Sequence, residues 1–117
     1  MKLFDSELRV MGVLWKHGDQ SARQIARILG EEIGWNVNTT YTLIKRCIGK
    51  GAIERIEPGF VCRALVSQEQ VQQEETQELI DRMFDGSADK LFAALLGGRR
   101  VSREQLARLR GMIDRID

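Results

Sequence analysis

The first 51 residues of the chain contain apolar side chains that recur every three or four positions, the spacing of one face of an amphipathic helix. Capping and stop signals divide this segment into three helices separated by short turns. Their predicted limits are Asp5 or Ser6 to His17-Gly18-Asp19, Ser21 to Gly34, and Asn36 or Asn38 to Gly51.

Two short runs rich in β-branched and aromatic residues follow the third helix. The runs are Ile53–Ile56 and Phe60–Leu65, and they flank Glu57-Pro58-Gly59, which contains the only proline. Because proline and glycine favour a turn, the runs predict a hairpin. Three helices followed by a two-stranded ribbon is the order of a winged helix-turn-helix, whose third helix enters the major groove of DNA. The alternative is a hairpin that packs for stability alone.

After residue 67 the pattern becomes acidic and sparsely apolar, and glycine-containing breaks at Asp85-Gly86-Ser87 and Gly97-Gly98 separate three short helices. In the last helix, apolar residues at spacings of 3, 4 and 3 form a heptad-like seam. These helices lack a core of their own, so we expect them to pair with a second copy of the chain. Packing back onto the first domain is the alternative. The expected dimerisation residues are Ile80, Met83, Phe84, Leu91, Phe92, Leu95, Leu96, Leu106, Leu109, Ile113 and Ile116.

The predicted fold class is therefore mainly α with a small β-hairpin. Residues 1–66 are expected to form a winged helix-turn-helix domain, and residues 67–117 a helical dimerisation region. Three Ser-x-x-Gln sequences, beginning at Ser21, Ser67 and Ser102, predict capping boxes at helix starts. The helix that begins at Ser21 could also hold a phosphate through its free N–H groups.

Acidic residues are absent between Gly34 and Ile53, although the chain has 17 of them. On a helical wheel one arc of this segment is apolar, and the opposite arc carries hydroxyl, amide, Lys and Arg side chains. A surface of this kind suits a DNA groove, so we interpret Asn38–Lys50 as a recognition helix. Residues 1–66 carry 10 basic and 7 acidic side chains, whereas residues 67–117 carry 8 and 10. With a net charge of only +1, DNA affinity must come from a local patch.

The expected DNA contacts differ along the recognition helix. Asn38, Thr39 and Thr42 lie at its N-terminal end, where such a helix meets base edges, and we expect Thr39 and Thr42 to provide readout. Residues further along are expected to neutralise phosphates. These are Lys45, Arg46 and Lys50.

Three of the expected contacts have an alternative role. Arg46 could instead anchor the helix internally to Glu7 or Glu32. Tyr41 borders both arcs of the wheel, so groove contact and helix packing are both open. Arg63 in the hairpin could contact the DNA backbone or remain a solvated strand charge.

Metal and cofactor chemistry is not expected. The sole histidine is His17, and Cys47 and Cys62 do not form a C-x-x-C pair. Cys47 falls on the apolar arc and is expected to be buried as a small hydrophobe, with a redox link to Cys62 as the alternative. Trp15 and Trp35 are expected to pack in the core rather than line a ligand pocket.

Other classes of protein are not favoured by the sequence. It offers no nucleophile–base pattern and no G-x-G-x-x-G, so an enzyme is not expected. No segment approaches the roughly 20 apolar residues of a membrane span, so a cytoplasmic protein with no membrane partner is expected. A winged domain that binds another protein and not DNA is the main alternative.

Several stretches together resemble one family. They are Thr39–Arg46 followed by Lys50-Gly51, the hairpin end Phe60–Ser67, the opening Glu7–Trp15, and the C-terminal pieces Phe84–Gly86 and Ser102–Leu109. They resemble the penicillinase-repressor (BlaI/MecI/CopY) family of winged-helix regulators. The resemblance implies a homodimeric repressor that binds a palindromic operator and blocks transcription.

The chain departs from two branches of that family. The copper-responsive branch carries paired cysteines near its C-terminus, but no cysteine follows Cys62 here, so copper sensing is not expected. The β-lactam branch is cut by a membrane peptidase between an Asn and a Phe. That bond corresponds by position to Ala94-Leu95, where both residues differ, so this specific cut is not expected. Phe92–Leu95 could be cut by something else, and the inducing signal stays open.

Overall fold

The structure, a computed structural model that describes residues 1–116, is mostly helical with one small sheet, as predicted. Its elements are α1 (Asp5–His17), β1 (Gln20–Ser21), α2 (Ala22–Ile33), α3 (Val37–Gly49), β2 (Ile53–Ile56), β3 (Val61–Ala64), α4 (Gln68–Met83), α5 (Ala88–Gly97) and α6 (Arg103–Asp114). The chain divides into two compact units, Met1–Glu75 and Thr76 onward, with the division inside α4. Residue 117, the end of the predicted helical region, lies outside the described residues.

The three predicted Ser/Gln capping boxes are present. The Gln backbone N–H donates to the Ser hydroxyl at 3.1, 3.0 and 3.1 Å for Ser21, Ser67 and Ser102. Each Gln side-chain oxygen in turn accepts the backbone N–H of its Ser, so two otherwise unpaired donors are satisfied at each helix start.

The start of α1 differs from the prediction. Phe4 occupies the N-cap position, not Asp5 or Ser6, and its N–H donates to the Glu7 carboxylate at 2.7 Å. The Glu7 side chain is almost fully buried in the interior of the first unit. A tertiary contact therefore moves the helix start by at least one residue.

The hairpin lies where the sequence predicts it, and one further strand joins it. β3 pairs antiparallel with β2 on one side and with the two-residue β1 on the other. β1 was not predicted, because two residues carry no periodicity. The second hairpin strand is shorter than expected, since Phe60 adopts a left-handed φ of 49° beside Gly59 and belongs to the turn.

The core of the first unit lies between α1, α2, α3 and the sheet. Its largest fully buried apolar side chains are Met11, Ile25, Leu29, Ile44 and Ile53. The two tryptophans pack against this core, as predicted, and the Trp15 indole N–H donates to the carbonyl of Val66 at 2.9 Å. Val71 of α4 is also part of the core, which explains why the compact unit extends beyond residue 66 to Glu75.

In the second unit, α5 and α6 leave most of their apolar side chains exposed. Neither helix contains a buried residue. Their apolar residues, with Val101, line an open cleft whose apolar members are Phe92, Leu95, Leu96, Val101, Leu106, Ala107, Leu109, Met112 and Ile113. Of the other residues predicted for dimerisation, Ile80 is buried, Phe84 and Leu91 are half-buried, and Met83 and Ile116 are exposed.

Within residues 1–116, no helix combines the length and apolarity needed to cross a membrane.

Candidate nucleic-acid interface

Helix α3 separates its side chains into two faces, as the helical wheel predicts. Thr40, Leu43, Ile44 and Cys47 are buried. The opposite face is exposed and consists of Asn38, Thr39, Thr42, Lys45, Arg46 and Gly49. The observed helix begins and ends one residue before the predicted Asn38–Lys50. The structure thus presents an acid-free surface of hydroxyl, amide and cationic groups along one helix.

The N-terminal turn of α3 is fixed by its own polar groups. The Asn36 side-chain oxygen accepts the Thr39 N–H at 2.8 Å, which caps the helix. The Thr42 hydroxyl donates to the Asn38 carbonyl at 2.9 Å. Because its proton is used inside the helix, this hydroxyl offers an acceptor oxygen to an outside partner. The predicted readout residues lie beside an open cleft lined by Ser6, Trp35, Asn36, Asn38, Thr39, Thr42, Leu43 and Arg46.

Lys50 lies apart from the exposed face. Its ammonium donates to Glu7 Oε1 at 2.6 Å and to the Lys2 carbonyl at 2.8 Å, and it lies 4.3 Å from the centre of the Phe4 ring. The internal anchor that the sequence suggested for Arg46 is thus made by Lys50. We therefore leave Lys50 out of the proposed DNA contacts.

Arg46 stays exposed, and within residues 1–116 no carboxylate lies at ion-pair distance from its guanidinium. Burial raises the pKa of the Glu7 carboxyl, but hydrogen bonds from Lys50 and the Phe4 N–H, together with the charges of Lys50 and Arg46, bring that pKa below its usual value. Glu7 is therefore ionised inside the unit at neutral pH. Its Oε2 atom has no hydrogen-bond partner among the described residues.

Two arginines of the hairpin are exposed and paired with carboxylates. Arg63, which the sequence singles out, lies 3.2 Å from Asp19. Arg55 pairs with Glu57 and stacks 3.7 Å from the centre of the Phe60 ring. Arg55 was not identified from the sequence as a candidate contact. Exposed ion pairs are weak, so either arginine can exchange its carboxylate for a phosphate.

Tyr41 connects α3 to the hairpin. Its half-buried ring meets the Phe60 ring edge to face, with centroids 5.9 Å apart and planes at 85°. This contact is packing, one of the two roles open from the sequence, and groove contact by Tyr41 stays a prediction. Phe60 was not predicted as a site residue from the sequence. Its ring packs the hairpin turn against the recognition helix.

Ser21 acts as the N-cap of α2. Its hydroxyl accepts the Gln24 N–H, and the Ala22 N–H donates to the Phe60 carbonyl at 2.9 Å. Two N–H groups of the first turn are therefore occupied inside the chain. Fewer donors are available for a phosphate than the sequence suggested.

The cysteines are free and buried, as expected for Cys47 from the apolar arc. Burial raises the pKa of the Cys47 thiol to about 12 and that of Cys62 to about 11. Both thiols therefore stay protonated at neutral pH. The described part of the chain brings together no group of three or more His, Cys, Asp or Glu residues able to hold a metal ion.

Two solved structures are similar to more than half of this chain. One is the solution structure of the DNA-binding domain of the repressor BlaI, with 30% identity and a TM-score of 0.54 over 57% of this chain and 84% of that chain. The other is the solution structure of the monomeric form of Bacillus licheniformis BlaI in complex with the blaP half-operator. It has 30% identity and a TM-score of 0.53, and it covers 59% of this chain and 87% of that chain.

Sequence comparisons extend the similarity over nearly the whole chain. The chain is 24% identical over 110 residues to the penicillinase repressor of Bacillus licheniformis, covering 92% of this chain and 86% of that protein. It is 26% identical over 110 residues to an uncharacterized 16.5 kDa protein in the ptsI 3′ region of Latilactobacillus sakei, covering 92% of this chain and 75% of that protein. The family model described as Penicillinase repressor matches residues 3–115, and this protein therefore belongs to the penicillinase repressor family.

Proposed function

We propose that this protein is a DNA-binding transcriptional repressor that places α3 in the major groove and binds a palindromic operator as a homodimer. The observation that carries the proposal is the exposed face of α3, which contains hydrogen-bonding and cationic groups but no acid. Support also comes from the BlaI structure that is bound to a half-operator and shares the winged-helix fold. The family supports a regulator rather than an enzyme.

The proposed contacts follow from the position of each side chain. Asn38, Thr39 and Thr42 occupy the first two turns of α3, where a recognition helix reaches base edges. The cationic groups contact phosphates and add salt dependence more than specificity. We assign this role to Lys45 and Arg46 on α3, and to Arg55 and Arg63 on the hairpin.

Homodimerisation is supported by the open apolar cleft of the second unit. Large apolar side chains there remain exposed on both helices, which is unusual for a surface without a partner. A second copy of the same cleft would cover it with two-fold symmetry. Two copies of α3 would then meet half-sites related by the same symmetry, about one helical turn apart.

The direct test is selection of bound sites from a random duplex library at two salt concentrations. We expect to recover an inverted repeat with half-sites about one helical turn apart. Salt-sensitive binding without a preferred sequence would show that α3 does not distinguish bases. Absence of salt-sensitive DNA binding would point to a protein-interaction module instead.

Single substitutions should separate base readout from phosphate binding. Replacing Thr42 with Ala is expected to weaken operator binding about tenfold, the lower range for a lost base contact, and to leave binding to random DNA nearly unchanged. Replacing Lys45 with Ala should weaken binding to the operator and to random DNA alike. It should also reduce the slope of log affinity against log salt concentration by about 1 per subunit. Fluorescence anisotropy titrations at several salt concentrations measure both effects.

Lys16→Ala is the matched control, since it removes the same charge from an exposed position on α1, a helix that contributes none of the proposed contacts. It should change neither affinity nor slope appreciably. Equal losses on operator and random DNA for Thr42→Ala would remove Thr42 from the readout residues.

A further inference from the structure

Val37 is an apolar side chain that does not belong to the packed core of the first unit. It is the first residue of α3, and 58% of its surface is exposed. Its neighbours in the same turn are Asn38 and Thr39, both exposed and polar. A β-branched residue at an exposed position in the first turn of a helix gains little from helix propensity and little from burial. Burial in the core therefore does not account for a valine at this position.

The position of Val37 on α3 places it at an edge between two functional surfaces. It lies four residues before Tyr41, hence on the same side of the helix and one turn closer to the N-terminus. The Tyr41 ring packs on Phe60 in the hairpin turn. Val37, Tyr41 and Phe60 thus form an apolar edge between the polar face of α3 and the hairpin.

Thymine is the one DNA base that displays a methyl group in the major groove. The methyl group projects from the part of the base edge nearest its own sugar–phosphate backbone. A side chain on the edge of a recognition helix therefore reaches it more readily than one at the centre of the helix face. Val37 is such a side chain, and it occupies the helix end that meets base edges.

We propose that Val37 reads one thymine in each half-site by packing its side chain on the 5-methyl group. The inference rests on the proposed function and adds a specificity-determining residue to it. Hydrogen-bonding groups of Asn38, Thr39 and Thr42 cannot distinguish thymine from uracil, which differ only in that methyl group. Thr39 and Thr42 carry a methyl group beside their hydroxyl, whereas the exposed side chain of Val37 is wholly apolar and is therefore the better partner for the thymine methyl group.

The test uses the duplex recovered from the random library, with each thymine of a half-site replaced singly by uracil. Wild-type protein is expected to bind one of these duplexes about fourfold more weakly, the effect of burying about one methyl group. Val37→Ala should bind the thymine and uracil forms of that duplex equally. Lys45→Ala should bind both more weakly but keep the wild-type ratio, which makes it the control for lost affinity.

The ratio of the affinities for the thymine and uracil duplexes does not depend on the fraction of folded protein. A small loss of stability in Val37→Ala therefore leaves the test valid. A thymine preference that persists in Val37→Ala would overturn the inference, because another residue would then read the methyl group. Equal binding of all uracil duplexes by wild-type protein would also overturn it while leaving sequence-specific binding established. Recovery of no preferred sequence would overturn both this inference and the proposed function.

Discussion

Replacing Lys50 with Met is expected to lower the free energy of unfolding by about 3 kcal/mol, the lower range for removing one partner of a buried ion pair. Glu7 is 1% exposed, and the Lys50 ammonium is its main counter-charge at 2.6 Å. Without Lys50 the carboxylate loses its nearest counter-charge and keeps the hydrogen bond from the Phe4 N–H. The lower end applies because Lys50 itself is 30% exposed, so water can partly replace it.

The double variant Glu7→Gln, Lys50→Met identifies the cause. Glutamine keeps an oxygen that can accept the Phe4 N–H but carries no charge, so the double variant should recover much of the lost stability. Lys45→Met is the matched control, because it makes the same change on the exposed face of α3 and should alter stability by less than about 0.5 kcal/mol. Urea unfolding followed by circular dichroism gives the free energy of unfolding of the wild type and of the three variants. If Lys50→Met cost no more than Lys45→Met, the ion pair would not anchor α3.

Acid should destabilise the wild-type protein more steeply than Glu7→Gln. The folded-state pKa of Glu7 lies below its usual value, so its contribution to stability is complete above the unfolded glutamate pKa of about 4.3. That contribution is lost as the pH falls through the folded-state pKa, when the carboxyl takes up its proton. Urea unfolding at pH 7 and at several pH values below about 4.3 measures the difference. If the free energy of unfolding of wild type and Glu7→Gln fell in parallel with decreasing pH, ionised Glu7 would not be the source of this stability.

Local signals in the sequence predicted much of this fold. The Ser-x-x-Gln boxes mark three helix starts because both hydrogen bonds join residues three apart in the chain. The two faces of α3 also follow from the sequence, since helical periodicity alone decides which side chains share a side.

Contacts between distant residues could not be predicted in the same way. Lys50 belongs by composition to the basic group of the recognition helix, but it meets Glu7, 43 residues earlier in the chain. The sequence suggested Arg46, not Lys50, as the partner of an internal acid, and the packing of α1 against the end of α3 instead brings Lys50 to Glu7. The edge-to-face contact between Tyr41 and Phe60 likewise joins residues that no local sequence pattern relates.

Disruption of the proposed dimer should have the largest effect on DNA binding. Ile113 is 62% exposed and lines the apolar cleft of the second unit. A carboxylate at this position would have to be buried in the dimer interface, so Ile113→Asp is expected to be monomeric at micromolar concentration. Analytical ultracentrifugation measures the change. Arg108→Asp is the control, because it places the same group on α6 outside the residues that line the cleft.

The affinity for a single half-site distinguishes loss of the dimer from damage to the recognition surface. In a dimer, binding of one α3 raises the effective concentration of the second at its half-site, which adds roughly a hundredfold or more to the affinity for the full operator. Ile113→Asp should therefore lose about this factor on the full operator and keep its affinity for a half-site duplex. A monomeric variant with unchanged affinity for the full operator would show that each copy binds independently. A variant that stayed dimeric would instead place the interface elsewhere on the chain.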